Sequence, residues 1–344
     1  MAECCLIENL AQSRRRNSMQ RQMFTPAGTA SLLFIAIVLL AGAIPVACYA
    51  LSPVIAINEE AKKANVQPQL VRGDVSVLEG SGGNITVLNR PAGKFLVDGG
   101  IAYSKDTLVH ALQTISSAPP LFVVNTHYHW DHTDGNSWLH DLGATVIAHP
   151  NTLKHLSNST RVDDWEWTFP PMPASGRPTD LVSKAKTMRF EGTTVRIAYY
   201  GPSHTDSDLS VYFVEADVLA TGDTWWNGYY PFIDNQNGGS IDGMIRAAKE
   251  NAKRVTKKTL VVPGHGPVGG RAELIEYRDM LIDIRDKVSA LKNQGKSRAE
   301  VVAAKPTAEY DAKWGGFVIN PEFFTRLVFD GLPAAPKTTA AVNP

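Results

Sequence analysis

The segment Thr126-His127-Tyr128-His129-Trp130-Asp131-His132 places four metal-capable side chains within six residues, directly after an apolar run. Side chains two apart in an extended chain point to the same side, so His127 and His129 are able to share one ion. Asp131 and His132 lie just beyond, where the chain turns toward an expected helix start at Thr133 and Asp134, within reach of a second ion beside the first. Three more candidate ligands stand at predicted strand ends: His204 in Gly201-Pro202-Ser203-His204-Thr205, Asp223 in Thr221-Gly222-Asp223, and His265 in Pro263-Gly264-His265-Gly266. Carboxylate and imidazole ligands without sulfur suit zinc best, and manganese or iron less well.

The pattern H-x-H-x-D-H, followed by a distant His, Asp and His, resembles the signature of the metallo-β-lactamase superfamily over roughly Leu70 to Pro267, with all seven positions filled. That resemblance implies an α/β (α+β) fold, the four-layer αββα sandwich, with extra C-terminal helices. It implies that His127, His129 and His204 bind one zinc, that Asp131, His132 and His265 bind the other, and that Asp223 bridges both. It also implies that Asp98, in Val97-Asp98-Gly99-Gly100, supports the metal loops through hydrogen bonds. The family hydrolyses β-lactams, thioesters, lactones, and sulfate and phosphate esters, and includes some redox members, so the resemblance specifies the fold and the site more narrowly than the substrate.

Two divalent ions, two ligand carboxylates and one hydroxide leave a centre with about one net positive charge, which favours an electron-rich carbonyl or phosphoryl oxygen. Paired metals about 3.5 to 4 Å apart lower the pKa of a bridging water toward neutrality, so no side-chain nucleophile is needed. Asp131 is the expected catalytic carboxylate, orienting the hydroxide or relaying its proton. Around this centre, Trp225, Trp226, Tyr229, Tyr230 and Phe232 follow Asp223, and Tyr128 and Trp130 sit inside the first motif. They read either as core packing or as an apolar wall for the substrate, with Trp130, Trp225, Trp226 and Tyr229 the wall candidates. His110, His140, His149 and His155 are expected to be structural or solvated. Asn237-Gly238-Gly239-Ser240 lacks the Lys of a phosphate loop and reads as a helix N-cap at Ser240.

The function expected from these residues is that of an exported dinuclear zinc hydrolase cleaving an ester, thioester, lactone or β-lactam-type bond of a small molecule by metal-bound hydroxide. The alternatives are an iron-dependent persulfide dioxygenase-like redox enzyme, which keeps the same signature, and a β-lactamase proper. Asp223 stands against the β-lactamase subgroup that has a cysteine ligand there. His129 stands against the di-iron flavoproteins, which usually have Glu at that position. The hydroxyacylglutathione hydrolase type shares the ligand set, but no basic cluster is evident near its expected substrate site.

The 344 residues, 44% hydrophobic and 20% charged with zero formal net charge, describe an ordinary globular protein. No basic block follows the first few dozen residues, which argues against nucleic acid as a partner. Ser31 to Ala47 is a nearly unbroken apolar run behind Arg14-Arg15-Arg16 and Arg21. It reads as an export signal cleaved after Ala50, or as a retained membrane anchor, giving a periplasmic or secreted protein that contacts a membrane only in the anchored case. Cys4, Cys5 and Cys48 all fall in this segment, so the mature chain has neither a disulfide nor a thiolate ligand. Oligomeric state leaves no mark in the sequence.

To position the site, residues 1–50 are assigned to the signal or anchor, 51–69 to a connector, 70–270 to the catalytic domain, 271–332 to a helical extension packed on it, and 333–344 to a flexible tail. Strands are expected at Asp74 to Leu78, Asn84 to Leu88, Lys94 to Val97, Leu121 to Val124, Thr145 to Ala148, Thr187 to Phe190, Thr194 to Ala198, Ser210 to Val214, Val218 to Thr221 and Thr259 to Val262. Apolar spacing predicts helices over Ser104 to Ser116, Asp134 to Leu142, Asn151 to Leu156, Ile241 to Arg254, Arg271 to Asn293, Arg298 to Ala304 and Pro321 to Phe329. Arg161 to Pro178 reads as a long irregular loop rich in aromatics and prolines.

Overall fold

The computed structural model describes residues 52–333, so the expected export or anchor segment and most of the expected tail lie outside the described residues. Among the described residues no helix is long and apolar enough to cross a membrane.

Two sheets carry the fold. In the first, β1 (Pro68–Arg72), β2 (Val75–Leu78), β3 (Ile85–Arg90), β4 (Gly93–Val97), β5 (Pro120–Val124), β6 (Thr145–Ala148) and β9 (Asp180–Leu181) lie side by side in that order. The second runs β10 (Ala185–Phe190), β11 (Thr193–Tyr199), β12 (Leu209–Phe213), β13 (Val218–Ala220) and β14 (Leu260–Val262). Each sheet begins as antiparallel hairpins and ends in parallel pairs, β4 with β5 and β13 with β14.

The period of two along each strand decides what lies in which layer. Phe95, Val97, Val124 and Ile147 of the first sheet join Val195, Ile197, Phe213 and Val262 of the second in a buried core between the sheets. Their strand neighbours point outward: Leu96, Val123 and Val146 pack against α2 (Lys105–Ile115) through Leu108, Ala111 and Leu112. On the far side, Leu219 and Val261 pack under α6 (Ile241–Arg254) and α7 (Arg271–Asn293). The result is helix, sheet, sheet, helix, as the resemblance implied.

Three regions depart from the sequence reading. The connector at 51–69 contains a helix, α1 (Pro53–Ala61), and the first residues of β1. Its amphipathic pattern is weak, and the docking contacts that hold it are long-range: Trp130 Nε1 donates to Asn58 Oδ1 at 2.9 Å, and Ser104 Oγ to Ala61 O at 2.8 Å. The helix expected over Asp134 to Leu142 is present as α4 (Asn136–Asp141), and an unexpected single turn, α3 (Trp130–Thr133), precedes it and carries Asp131 and His132. The irregular loop holds a two-stranded ribbon, β7 (Thr160–Val162) and β8 (Trp167–Phe169), turned through Glu166 in the left-handed region. Trp165 at its tip is buried with its ring 4.8 Å from that of Trp130.

Beyond α7, the short helices α8 (Arg298–Ala303) and α9 (Asp311–Trp314) and the longer α10 (Pro321–Gly331) complete the outer layer. Leu274, Tyr277 and Leu281 of α7 share one core with Trp225, Ile241 and Phe324. The C-terminal helices are thus built into the helical layer over the second sheet.

Phe95 is the keystone between the sheets, fully buried with its ring 5.5 to 5.8 Å from those of Phe122, Phe190 and Phe213. Phe95→Ala is expected to cost about 3 to 5 kcal/mol of unfolding free energy, measured by denaturant titration.

Candidate metal centre

All seven candidate ligands sit in loops that leave the same edge of the sandwich. His127 and His129 follow β5, Asp131 and His132 ride on the turn α3, His204 lies between β11 and β12, and Asp223 and His265 follow β13 and β14. Main-chain bonds sew these loops together, two of them across the two sheets and one within the second. Leu209 N donates to Thr126 O at 2.7 Å, Asn84 N to Gly264 O at 2.7 Å, and Gly264 N to Gly222 O at 2.9 Å.

The donors gather in two groups that meet at one carboxylate. His127, His129, His204 and Asp223 offer ligand atoms within 4.8 Å of one another, as do Asp131, His132 and His265. Asp223 Oδ2 stands 3.4 Å from His204 Nε2 and 3.4 Å from His265 Nε2, while Oδ1 is 3.1 Å from His132 Nε2. Its carboxylate therefore reaches both groups.

Hydrogen bonds on the outer side of each ring fix its tautomer. Thr126 Oγ1 donates to Asp98 Oδ2 at 2.8 Å, so it accepts from His127 Nδ1–H at 3.0 Å and leaves a lone pair on His127 Nε2. His129 Nε2–H faces Asp234 Oδ2 at 3.1 Å, leaving Nδ1 free to ligate. His204 Nδ1–H donates to Phe232 O at 2.8 Å, and His132 Nδ1–H to Asp98 Oδ2 at 2.9 Å. Three lone pairs then converge, with His129 Nδ1 3.0 Å from His127 Nε2 and 2.9 Å from His204 Nε2. His132 Nε2 and Asp223 Oδ1 are buried without any hydrogen-bond partner. Lone pairs packed this closely repel unless a cation lies among them, so the donor set fits metal ions.

The electrostatics point the same way. Burial, reinforced by neighbouring histidines, holds His127 well below the usual imidazole range, and burial takes His204 down to about 4, so both are neutral and ready to ligate at pH 7. Burial also disfavours charge on His132 and His265, yet the nearby carboxylates outweigh it. Asp223, Asp131 and Asp98 hold His132 well above its ordinary value, and Asp223 and Asp131 lift His265 to about 9. For Asp223 the burial penalty is likewise overcome, by the surrounding histidines, and its carboxyl stays well below the carboxylate range. Positive charge is favoured on the side of Asp131, His132 and His265.

Asp98 is held as expected, at φ +68°, a conformation costly for a non-glycine residue. Its Oδ1 accepts from Thr126 N at 2.7 Å, and its Oδ2 binds Thr126 and His132. Sequence reasoning missed three supports. Asp234 receives His129 and the Tyr128 hydroxyl. Asp208 gathers Ser203 Oγ at 2.8 Å, Thr205 N at 2.9 Å and Thr205 Oγ1 at 3.0 Å, holding the loop on either side of His204. Asn84 Nδ2 bonds Pro263 O and Gly266 O at 3.0 and 2.8 Å, bracketing His265. Asp234 and Asn84 meet their ligand loops only in the fold, whereas Asp208 lies four residues from His204 in the same loop, where the run Ser203 to Asp208 offered a local signal of a side-chain-stabilised turn. Two glycines are required by close approach: a Cβ on Gly264 would lie 1.9 Å from Asp223 Oδ1, and one on Gly222, at φ +52°, would lie 2.4 Å from Thr126 Oγ1.

The wall candidates separate. Trp225 has no exposed surface and belongs to the core, because the bridge that pairs Trp226 with His265 turns the two tryptophans to opposite sides. Trp226, also buried at 3% exposure and in the same core cluster, packs its ring 4.2 Å from that of His265 and backs that ligand without offering an open face, and Tyr229 lies half-buried beside Phe317 at 4.7 Å. Trp130 lines a separate cavity of about 480 Å³, with Tyr128, Trp138, Phe169 and Met172, that none of the seven ligands borders. Tyr230 and Phe232 are buried core residues. His110 and His140 are exposed, His149 Nδ1 caps α5 (Pro150–Ser157) by accepting from Asn151 N, and His155 pairs with Asp206. Ser240 Oγ caps α6 by accepting from Gly243 N at 3.0 Å.

The sequence model of the Metallo-beta-lactamase superfamily matches residues 78–279. A metallo-beta-lactamase type 2 from Bacillus sp. (strain 170) is 24% identical over 160 residues, 46% of this chain and 56% of that protein. A hydroxyacylglutathione hydrolase from Polaromonas sp. (strain JS666) is 28% identical over 145 residues, 42% of this chain and 47% of that protein. The chain thus spans about half the length of these relatives. Among solved structures, the DIM-1 metallo-beta-lactamase superposes with a TM-score of 0.52 at 21% identity, covering 63% of this chain and 97% of that one. The sec-alkylsulfatase Pisa1 from Pseudomonas sp. superposes with a TM-score of 0.60 at 17% identity, covering 81% and 52%. Both are likenesses of fold.

Since all three groups facing the Asp98 carboxylate are donors, Asp98→Asn points an amide N–H at one of them. The variant is expected to stay folded and to lose roughly 10- to 100-fold in metal affinity, read by chelator competition.

Proposed function

The chain belongs to the metallo-β-lactamase superfamily, and from that premise we propose that it is a dinuclear zinc hydrolase cleaving an ester, thioester, lactone or β-lactam-type bond of a small molecule. The observation that carries this reading is the buried convergence of five imidazoles and two carboxylates in two adjoining groups, with the lone pairs of His127, His129 and His204 facing one another. His127, His129 and His204 would hold one ion, Asp131, His132 and His265 the other, and Asp223 would touch both. Zinc is favoured over iron or manganese by a donor set that is mostly imidazole. When bound, the ions would acidify a coordinated water and polarise the bond under attack.

The chain's own residues do the rest. Asp131 is nearly buried, with Oδ2 3.3 Å from His265 Nε2 and 3.4 Å from His132 Nε2. From there it would orient the attacking water and take up its proton. Asp98, Asp234 and the Phe232 carbonyl hold the imidazoles in their ligating tautomers, so little reorganisation is needed as charge develops. The absence of cysteine after residue 48 is consistent with water as the nucleophile. We also propose export to the periplasm or exterior, a reading supported by the apolar run at Ser31 to Ala47.

The purified protein is expected to hold about two zinc ions per chain, counted by elemental analysis. A panel of β-lactams, lactones, thioesters, and sulfate and phosphate esters would identify the bond class by relative kcat/KM. His129→Ala and Asp223→Ala are each expected to abolish turnover while leaving the circular dichroism spectrum unchanged. Undiminished turnover in either variant rejects the assignment, and one iron with persulfide oxidation would replace it by the redox reading.

A further inference from the structure

The centre is closed on nearly every side. The side chains of His127, His132 and His204 have no exposed surface, Asp223 has 3% and Asp131 7%, whereas His265 has 11%. A substrate must therefore arrive past His265 and Asp131.

Aromatic rings flank that opening. Trp226 packs on His265, and the Phe317 ring lies 6.3 Å from that of His265, 6.0 Å from Trp226 and 4.7 Å from Tyr229. Despite these contacts Phe317 is 43% exposed and its neighbour Val318 41%, while Ile319 is 1% exposed and rooted in the helical core. A large apolar ring left this exposed beside the opening presents a surface that suits an apolar ligand. Thr224 to Tyr230 carries no cationic residue that would favour an anionic group instead. The segment lies between α9 and α10, outside residues 78–279 that match the family, so it belongs to this chain's extension.

We propose that Phe317 forms an apolar subsite at the mouth of the metal centre, selecting substrates that carry an aryl or alkyl group next to the scissile bond. This rests on the hydrolase reading for what sits in the centre, but the subsite is testable apart from turnover. Zinc-loaded protein would be titrated calorimetrically with acetohydroxamate and phenylacetohydroxamate, which share a metal-binding head and differ by a phenyl ring. The phenyl compound is expected to bind about tenfold more tightly, as follows from partial burial of one ring. Phe317→Ser should bring the ratio close to one without changing acetohydroxamate affinity, and Phe317→Leu should keep most of it. In metal-free protein, 4-nitrobenzyl alcohol should quench tryptophan fluorescence saturably, and Phe317→Ser should abolish the saturation. An unchanged ratio in Phe317→Ser, or an equal loss for both hydroxamates, overturns the subsite. Failure of both hydroxamates to bind in a zinc-dependent way counts against the metal centre, and the quenching experiment then decides the subsite alone.

Discussion

Three imidazole nitrogens with lone pairs facing one another at 2.9 to 3.0 Å repel, and nothing in the rings themselves holds them there. What holds them is a ring of hydrogen bonds on the outward nitrogens, to Thr126, Asp234 and the Phe232 carbonyl. Asp98 is the root of this arrangement. One carboxylate with three donors binds the backbone and hydroxyl of Thr126, and so orients His127 through Thr126 and His132 directly. The strained backbone at Asp98 is the cost of aiming that carboxylate at the two loops it serves.

The sandwich exists to bring such loops to one edge. Parallel pairing of β4 with β5 and of β13 with β14 sends consecutive strand ends out of the same side, and the inter-sheet core of Phe95 and Phe213 fixes the distance between the two sets. Bonds from Leu209 to Thr126 and from Asn84 to the Gly264 loop then lock one sheet's loops to the other's. Close packing leaves no room for a Cβ on Gly264, so the His265 loop presses its backbone against the Asp223 carboxylate.

Much of this was legible in the sequence. The seven donors were readable because metal chemistry demands particular side chains, and the strands because alternation exposes which residues face inward; α6 and α7 match the apolar spacing to the residue. Helix α1 escaped because its pattern is weak and Trp130 and Ser104 hold it from a distance. Asp234 escaped for the same reason, since an isolated Asp carries no sign of the His129 ring it will meet from 105 residues away; Asp208 sits in the His204 loop and was legible locally as the Asp of a Ser/Thr-rich turn. Trp225 and Trp226 are chemically identical neighbours, both buried in one core, and only the backbone bridge to His265 shows which of the two backs a ligand.

Asn84 and Gly264 lie 180 residues apart, yet their bond brackets the last ligand loop. During synthesis the His127 cluster emerges long before His265 does, and loop-closure entropy delays such distant pairings. The cage is therefore complete only where both sheets are already paired at this edge. Cation capture by the full set belongs to the end of folding, in whichever compartment the chain reaches its final shape.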